Sequence, residues 1–162
     1  MIVSNSTPLI ALSKIGMLEL LREYFGEVCI PKEVYDEVVT RGKNLFGAVE
    51  VKNAEWIKVE EVRNKIAVES LRDYIDSGEA EAIILAKERN AKLLLIDDSE
   101  GRQIAERLGL KITGTIGILL LAARDKKLVF KETIDDLVAC GFRLSKEEYD
   151  KLLMRSEEIC SK

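Results

Sequence analysis

Histidine is absent from this chain of 162 residues, so the commonest general base and a frequent zinc ligand are both missing. A Ser-His-Asp triad, a Cys-His pair and a His-ligated zinc site are therefore excluded. The three cysteines, Cys29, Cys140 and Cys160, are too far apart for a Cys-x-x-Cys motif and are interpreted as reduced thiols. Any chemistry must use carboxylates, hydroxyls, lysines and arginines, and oxygen donors of this kind suit Mg²⁺ or Mn²⁺.

Long apolar segments are also lacking. The longest near-unbroken apolar run, residues 116–123, is far shorter than the ~20 residues needed to cross a bilayer. The first five residues lack the basic start of a signal peptide. We therefore expect a cytoplasmic protein with no membrane segment.

A strong basic charge is missing as well. The formal net charge is −4, so the chain as a whole has no electrostatic footprint for nucleic acid. Local basic patches at residues 41–43 and 124–127 could contact phosphates, although solvated surface charge explains each of them as simply. Hydrophobic residues make up 47% of the chain, which excludes a disordered protein.

Short apolar segments alternate with segments of helical periodicity, without a linker or an internal repeat. The expected strands cover residues 2–4, 27–30, 56–59, 92–96 and 111–113. Four consecutive apolar residues at 93–96 indicate a strand that is buried on both faces, as in the centre of a parallel sheet. The alternation predicts an α/β fold, a three-layer α/β/α sandwich with a mostly parallel central sheet.

Polar residues follow two of these strands, where the crevice of such a sheet is expected. Asp97 and Asp98 end the fourth strand, and two adjacent carboxylates repel each other unless a cation lies near. Alternatively, Asp98 caps the following helix while Asp97 faces water, and the sequence leaves both readings open. After the first strand, Thr7 followed by Pro8 predicts a helix N-cap and a first helical residue.

Three glutamates are further candidates. Asp76 and Glu79 fit a capping box, which explains Glu79 without a functional role. Glu81 lies among small and apolar residues and needs a partner if it is buried, so it is the preferred site candidate. Glu37, taken by itself, is better explained by a surface ion pair with Arg41, four residues on.

Four segments, taken in chain order, resemble the motifs of the PIN-domain family. They are Asn5-Ser6-Thr7-Pro8-Leu9-Ile10, Pro31-x-x-Val34-x-x-Glu37, Gly78-Glu79-Ala80-Glu81-Ala82-Ile83 and Leu95-Ile96-Asp97-Asp98. The chain is most similar to a VapC-like toxin ribonuclease branch, which shares the segments Gly101-Arg102 and Gly114-Thr115-Ile116-Gly117. The resemblance covers residues 1–145 as one PIN-like domain and leaves residues 146–162 as a C-terminal helix packed on it or extending it.

The resemblance implies a ribonuclease that holds one or two Mg²⁺ or Mn²⁺ ions and cleaves single-stranded or looped RNA. It implies that Glu37, Glu81 and Asp98 are catalytic metal ligands, with Asp97 able to ligate in place of Asp98. Thr7 would orient a ligand or a water molecule. The same resemblance implies a homodimer and a small antitoxin protein as partners.

Asn5 departs from the family pattern, which has an aspartate at this position. Its amide oxygen can coordinate a hard cation but adds no negative charge. Two interpretations therefore stay open: a metal-dependent endoribonuclease of a toxin–antitoxin pair, or a degenerate PIN module that binds RNA or a protein partner with little or no cleavage. A different acid-pocket phosphotransfer enzyme is less favoured, and no Walker-type phosphate loop occurs.

Overall fold

A parallel sheet organises the chain in the computed structural model, which describes residues 1–43 and 45–161. Its strands are β1 (Ile2–Ser4), β2 (Val28–Pro31), β3 (Ile57–Glu60), β4 (Leu93–Leu95) and β5 (Ile112–Thr113). Their order is β3-β2-β1-β4-β5, and each neighbouring pair in this described sheet is parallel. The predicted sheet is confirmed, and every expected strand lies within one residue of its expected bounds.

The helices cover both faces of the sheet. They are α1 (Ser6–Lys14), α2 (Glu19–Phe25), α3 (Lys32–Tyr35), α4 (Ala48–Asn53), α5 (Lys65–Leu71), α6 (Ser77–Glu88), α7 (Ser99–Arg107), α8 (Thr115–Arg124), α9 (Phe130–Ala139) and α10 (Lys146–Cys160). A π-helical turn, Asp36–Thr40, follows α3 directly. None of the described helices is long and apolar enough to span a membrane.

Two hydrophobic cores separate the three layers. Side chains alternate across β4, since Leu94 and Ile96 lie in the core beneath α5, α6 and α7, whereas Leu95 lies in the core with α1, α2, α8 and α9. These three side chains have no exposed surface, which explains why this strand consists of apolar residues on both faces. The three-layer α/β/α sandwich expected from the sequence is therefore confirmed.

The C-terminal helix packs on the same body. Tyr149, Leu152, Leu153 and Ile159 of α10 lie against the core that contains α8 and α9. Two residues of expected segments lie outside the described part of the chain. They are Asn44, in the expected loop at residues 42–48, and Lys162, at the end of the expected C-terminal helix segment.

The start of α1 differs from the expectation. The helix begins at Ser6, with Asn5 in the N-cap position, so Pro8 is the third helical residue rather than the first. The prediction of Thr7 as the N-cap is wrong, because the chain turns into the helix directly after β1. Pro8 is tolerated there because N–H groups in the first turn have no partner within the helix.

The strand order determines where a binding crevice can form. The chain proceeds outward from β1 through β2 to β3 and then returns to place β4 on the other side of β1. Connections leave in opposite directions at the carboxyl ends of β1 and β4, which is where α/β sheets open a crevice. Thr7 and the Asp97–Asp98 pair follow these two strands.

Candidate active site

A cavity of about 600 Å³ opens at this point between β1 and β4. Three acids line it, namely Glu79 from α6 and Asp97 and Asp98 after β4, together with the hydroxyl-bearing Thr7 from α1. We call this space the acidic cavity. The structure thus brings together oxygen-bearing side chains from three separate segments, including three of the predicted site residues.

Glu79 is the most perturbed acid of the cavity wall. It forms the predicted capping box, in which Asp76 Oδ1 accepts a hydrogen bond from the Glu79 backbone N–H at 2.8 Å and Glu79 Oε2 accepts one from the Asp76 N–H at 3.4 Å. Burial and the negative charges of Asp76 and Asp98 raise the pKa of Glu79 from 4.5 to about 7. The capping role is therefore confirmed, but it does not account for an almost buried carboxylate (8% exposed) in an acidic surrounding.

Glu81 is not brought to the acidic cavity. Its Oε1 accepts a hydrogen bond from the Glu33 backbone N–H at 3.3 Å, at the start of α3. Two residues correspond to about 200° around an α-helix, so Glu79 and Glu81 project from opposite sides of α6. The sequence argument preferred Glu81 to Glu79, whereas in the structure it is Glu79 that lines the acidic cavity.

Glu37 lies beside the acidic cavity and is held by residues from two other elements. Ser6 Oγ donates a hydrogen bond to Glu37 Oε2 at 2.7 Å. Gly78, at the start of α6, lies so close to Glu37 Oε1 that any Cβ at this position would overlap it. Burial raises the pKa of Glu37, and the Ser6 hydrogen bond opposes that rise.

The π-helical turn explains why Glu37 does not pair with Arg41. The Arg41 backbone N–H donates to Asp36 O, five residues back, at 2.7 Å, and this wider turn changes the spacing of the side chains. Arg41 instead forms an ion pair with Glu33 at 2.7 Å. The alternative interpretation of Glu37 as a surface partner of Arg41 is therefore wrong, and π-helical turns are frequent at functional sites.

A second cavity, of about 360 Å³, contains Glu37. It shares Ile10, Lys14 and Cys140 with the acidic cavity, so the two spaces are neighbours along α1. Glu37 therefore lies on a surface that continues into the acidic cavity with Glu79 and the aspartates.

Asp97 is tied to the start of α8. The Thr115 backbone N–H donates to Asp97 Oδ1 at 2.8 Å, and Thr115 Oγ1 donates to Asp97 Oδ2 at 2.6 Å. A Cβ at Gly114 would overlap Asp97 Oδ1. Burial raises the pKa of Asp97, while the two Thr115 hydrogen bonds and the Arg102 charge oppose it. Asp97 is thus half-buried and held by α8, although it still lines the acidic cavity.

Asp98 caps α7 and remains exposed to the cavity. Its Oδ2 accepts a hydrogen bond from the Gly101 backbone N–H at 2.9 Å, so the predicted cap is confirmed. Since Asp98 also lines the acidic cavity, capping and cavity lining are compatible at this residue. Asp98 is thus more accessible to a ligand than Asp97.

Asn5 lies beneath this surface. Its side chain is only 3% exposed, and its backbone N–H donates to Leu95 O at 2.9 Å, which joins the end of β1 to β4. The amide makes no capping hydrogen bond to α1. Asn5 is not among the described residues that line the acidic cavity, so its role as a metal ligand stays a prediction.

The donor set fits a hard divalent cation in its chemistry. Glu79, Asp97, Asp98 and Thr7 offer only oxygen atoms, which Mg²⁺ and Mn²⁺ prefer, and a cation would offset the mutual repulsion that raises the pKa of Glu79. As the side chains are placed, no three acids or cysteines within residues 1–43 and 45–161 are close enough to hold a metal ion. Metal binding therefore requires these side chains to rotate toward one another.

Three supporting residues were missed as parts of the site, namely Ser6, Gly78 and Thr115. Their hydroxyl groups and the missing side chain of glycine position Glu37 and Asp97. All three lie within segments that resemble family motifs, but the sequence gives them no individual role. The sequence signals that could have pointed to them are the glycine immediately before Glu79 and the Gly-Thr pair at 114–115.

Comparison with known proteins agrees with the fold. A family model described as a PIN domain matches residues 1–158. A search of the curated proteins and a search of the solved structures each found no match to this chain.

Proposed function

This chain belongs to the PIN-domain family, and from that membership we propose that it is a metal-dependent endoribonuclease with its active site at the acidic cavity. The observation that carries the proposal is the convergence of Glu79, Asp97 and Asp98 on one cavity at the carboxyl ends of β1 and β4. Burial and neighbouring negative charges raise the pKa of Glu79 to about 7, and perturbed carboxylates in a cleft are typical of functional sites.

The proposed cofactor is Mg²⁺ or Mn²⁺, held by Glu79 and Asp98 with Glu37 at the edge of the site. When bound, such an ion lowers the pKa of water and stabilises the charge that develops on a phosphate. The chain's own residues position these acids: Ser6 orients Glu37 through a 2.7 Å hydrogen bond, and Asp76 fixes the backbone of Glu79.

The proposed substrate is single-stranded or looped RNA. Lys14 and Arg143 line the acidic cavity together with the carboxylates, so a phosphate bound there can contact cationic groups. Thr7 is exposed at the same wall and can donate a hydrogen bond to a phosphate oxygen. Both cationic contacts favour an anionic polymer over a neutral substrate.

We further propose that the protein is a cytoplasmic toxin of the VapC-like branch, with a small antitoxin protein as partner and a homodimer as its assembled state. The exposed apolar residues Leu45 and Phe46 line the same cavity as Glu37 and provide a surface on which a partner protein could pack. We also propose residues 1–145 as the catalytic domain, with the segment from residue 146 as its C-terminal helix.

A specific observation favours a second candidate, a module that binds RNA or a protein without cleaving RNA. Asn5 is buried and uncharged where the family pattern implied by the resemblance has an acid, so the site holds less negative charge than a typical one. Lower charge weakens the binding of a cation, and of a second cation most.

The experiment that tests the proposal compares Glu79→Gln, Asp98→Asn and Glu81→Gln in the cleavage of a mixed RNA pool with Mn²⁺. We expect Glu79→Gln and Asp98→Asn to reduce the rate by about 10²-fold or more, as loss of charge-stabilising groups does. Glu81→Gln makes the same chemical change on the opposite side of α6 and should retain most of the rate. Unchanged cleavage in the first two variants would reject the acidic cavity as the active site.

Binding without cleavage supports the second candidate. If the unmodified protein binds RNA in Mn²⁺ but cleaves none of the pool, the chain is a binding module. If Glu81→Gln abolishes cleavage while Glu79→Gln does not, the ligand assignment derived from the sequence is correct.

A further inference from the structure

A cationic groove of about 640 Å³ adjoins the acidic cavity. Four cationic and two acidic side chains line it, which are Arg102, Arg143, Lys151, Arg155, Asp97 and Glu148. We call this space the basic groove. Its excess of positive charge is notable because the chain as a whole has a formal net charge of −4.

Two of the four cations of the basic groove lie on one face of α10. Lys151 and Arg155 are four residues apart on α10, so they lie on the same side of the helix about 6 Å apart along its axis. Lys151 also pairs with Glu147 at 3.0 Å, but both side chains are exposed, and such pairs contribute little. Its ammonium group can therefore exchange that partner for a phosphate at low cost.

The basic groove is continuous with the acidic cavity. The two spaces share Asp97, Phe142 and Arg143, so the aromatic ring stands at the junction with a cation beside it. Phe142 is half-buried and packs against the core, which holds its ring in place. A fixed aromatic side chain next to cationic groups is the arrangement that binds single-stranded nucleic acid without sequence preference.

We propose that single-stranded RNA passes from the acidic cavity across Phe142 into the basic groove of α10. Its phosphates contact Arg143, Lys151 and Arg155, and one base stacks on the Phe142 ring. These contacts hold the strand in register without reading its sequence, as phosphate contacts generally do. This assignment rests on the proposed function, because it takes RNA to be the substrate.

The test is the binding of a fluorescently labelled single-stranded RNA, measured by anisotropy in EDTA so that no metal-dependent cleavage takes place. The variant is Arg143→Gln/Lys151→Gln/Arg155→Gln, which removes three exposed cations. We expect the Kd to rise by about tenfold or more, and the slope of log affinity against log salt to fall by about 2, since each lost contact with single strands removes about 0.7.

A matched control removes three cations at the opposite edge of the sheet. Lys52, Lys58 and Lys65 lie in or beside α4, β3 and α5 and are exposed, so Lys52→Gln/Lys58→Gln/Lys65→Gln makes the same change in net charge. We expect a Kd and a salt slope close to those of the unmodified protein. Thermal unfolding of each variant verifies that the fold is retained.

Phe142→Leu tests the stacking contact separately. Leucine preserves apolar packing but removes the aromatic face, so RNA affinity should fall about 5-fold or more while the salt slope stays unchanged. Tyr74→Leu replaces an exposed aromatic residue of the α5–α6 region and should leave the affinity unaltered.

Four outcomes would overturn the proposal. Equal losses of RNA affinity in the two triple variants would mean that only overall charge matters. If the unmodified protein cleaves RNA but the groove variants bind it normally, the groove is rejected and the proposed function remains. An unmodified protein that neither binds nor cleaves RNA would reject both. Tighter binding of an acidic peptide than of RNA with the same charge would assign the groove to a protein partner.

Discussion

Ser6 and Glu37 are joined by a hydrogen bond of 2.7 Å that spans 31 positions of the sequence. Ser6 opens α1 directly after β1, and Glu37 lies in the π-helical turn after β2. The bond therefore joins the segment that follows β1 to the segment that follows the neighbouring strand β2. It also supplies a donor to a carboxylate whose burial would otherwise favour the protonated form.

Replacing Ser6 by alanine is expected to move the pH dependence of cleavage. The hydroxyl holds the pKa of Glu37 below the value that burial alone would give, so its loss raises that pKa. Because a metal ligand must be deprotonated, the acid limb of the rate profile should move to higher pH. Ser4→Ala is the control, since Ser4 Oγ donates only to the neighbouring Asn5 carbonyl. An acid limb that stays in place in Ser6→Ala would contradict this role.

Replacing Thr115 by valine is expected to destabilise the protein by about 1–3 kcal/mol, because the half-buried Asp97 loses its 2.6 Å hydroxyl donor while keeping the backbone N–H. Denaturant unfolding measures this change. Thr133→Val has the same change of shape at another buried threonine, whose hydroxyl bonds only to the Val129 carbonyl within its own helix. A larger loss in Thr133→Val than in Thr115→Val would show that Asp97 does not depend on Thr115.

The stability of the metal-free protein should depend on Glu79 between about pH 4.5 and pH 7. The folded state raises the pKa of Glu79 to about 7, so folding binds the proton more tightly than the unfolded chain does. The free energy of unfolding should therefore be lower above pH 7, where Glu79 is charged, than in acid, where it is protonated. The difference is on the order of 3 kcal/mol.

Glu79→Gln removes this titration and keeps a capping-box residue at the third helical position. In EDTA, the unfolding free energy of the unmodified protein should fall relative to that of the variant when the pH rises from 5 to 8. Glu81→Gln controls for the loss of one glutamate from α6. Parallel pH curves for the unmodified protein and Glu79→Gln would mean that the carboxylate is not destabilised by its surroundings.

Asn5→Asp should increase the affinity for Mn²⁺ and any rate of RNA cleavage, because it adds a negative charge at the end of β1. In the metal-free protein the same carboxylate is buried, so we expect a lower melting temperature that Mn²⁺ restores. Titration calorimetry with Mn²⁺ measures the affinity. Asn64→Asp is the matched control, since Asn64 caps α5 and aspartate serves equally well there. No gain in Asn5→Asp would favour the binding module.

The sheet could be predicted from the sequence because its signals are local. The apolar run at 93–96 and the regular alternation of short strands with helices determine burial and connection type without any knowledge of distant contacts. Polar residues at the ends of β1 and β4 were expected to converge for the same reason, and Thr7, Asp97 and Asp98 do line one cavity.

Two details of the site could not be predicted, because they depend on contacts between segments. Glu79 and Glu81 lie in almost identical local sequence, and only the rotation of α6 against its neighbours decides which one faces the cavity. The π-helical turn at Glu37 inserts an extra residue into a turn, so helical spacing predicted an Arg41 partner that in fact binds Glu33. Thr115 contacts Asp97 across 18 residues, a distance at which periodicity carries no information.

The capping box at the start of α6 has a consequence for how an ion would enter. Glu79 Oε2 accepts the Asp76 N–H at the long distance of 3.4 Å, whereas Asp76 holds the other half of the box at 2.8 Å. The weaker half can open and let the glutamate swing outward while the aspartate still secures the first turn. The rotation of Glu79 that cation binding requires would then leave the first turn of α6 in place.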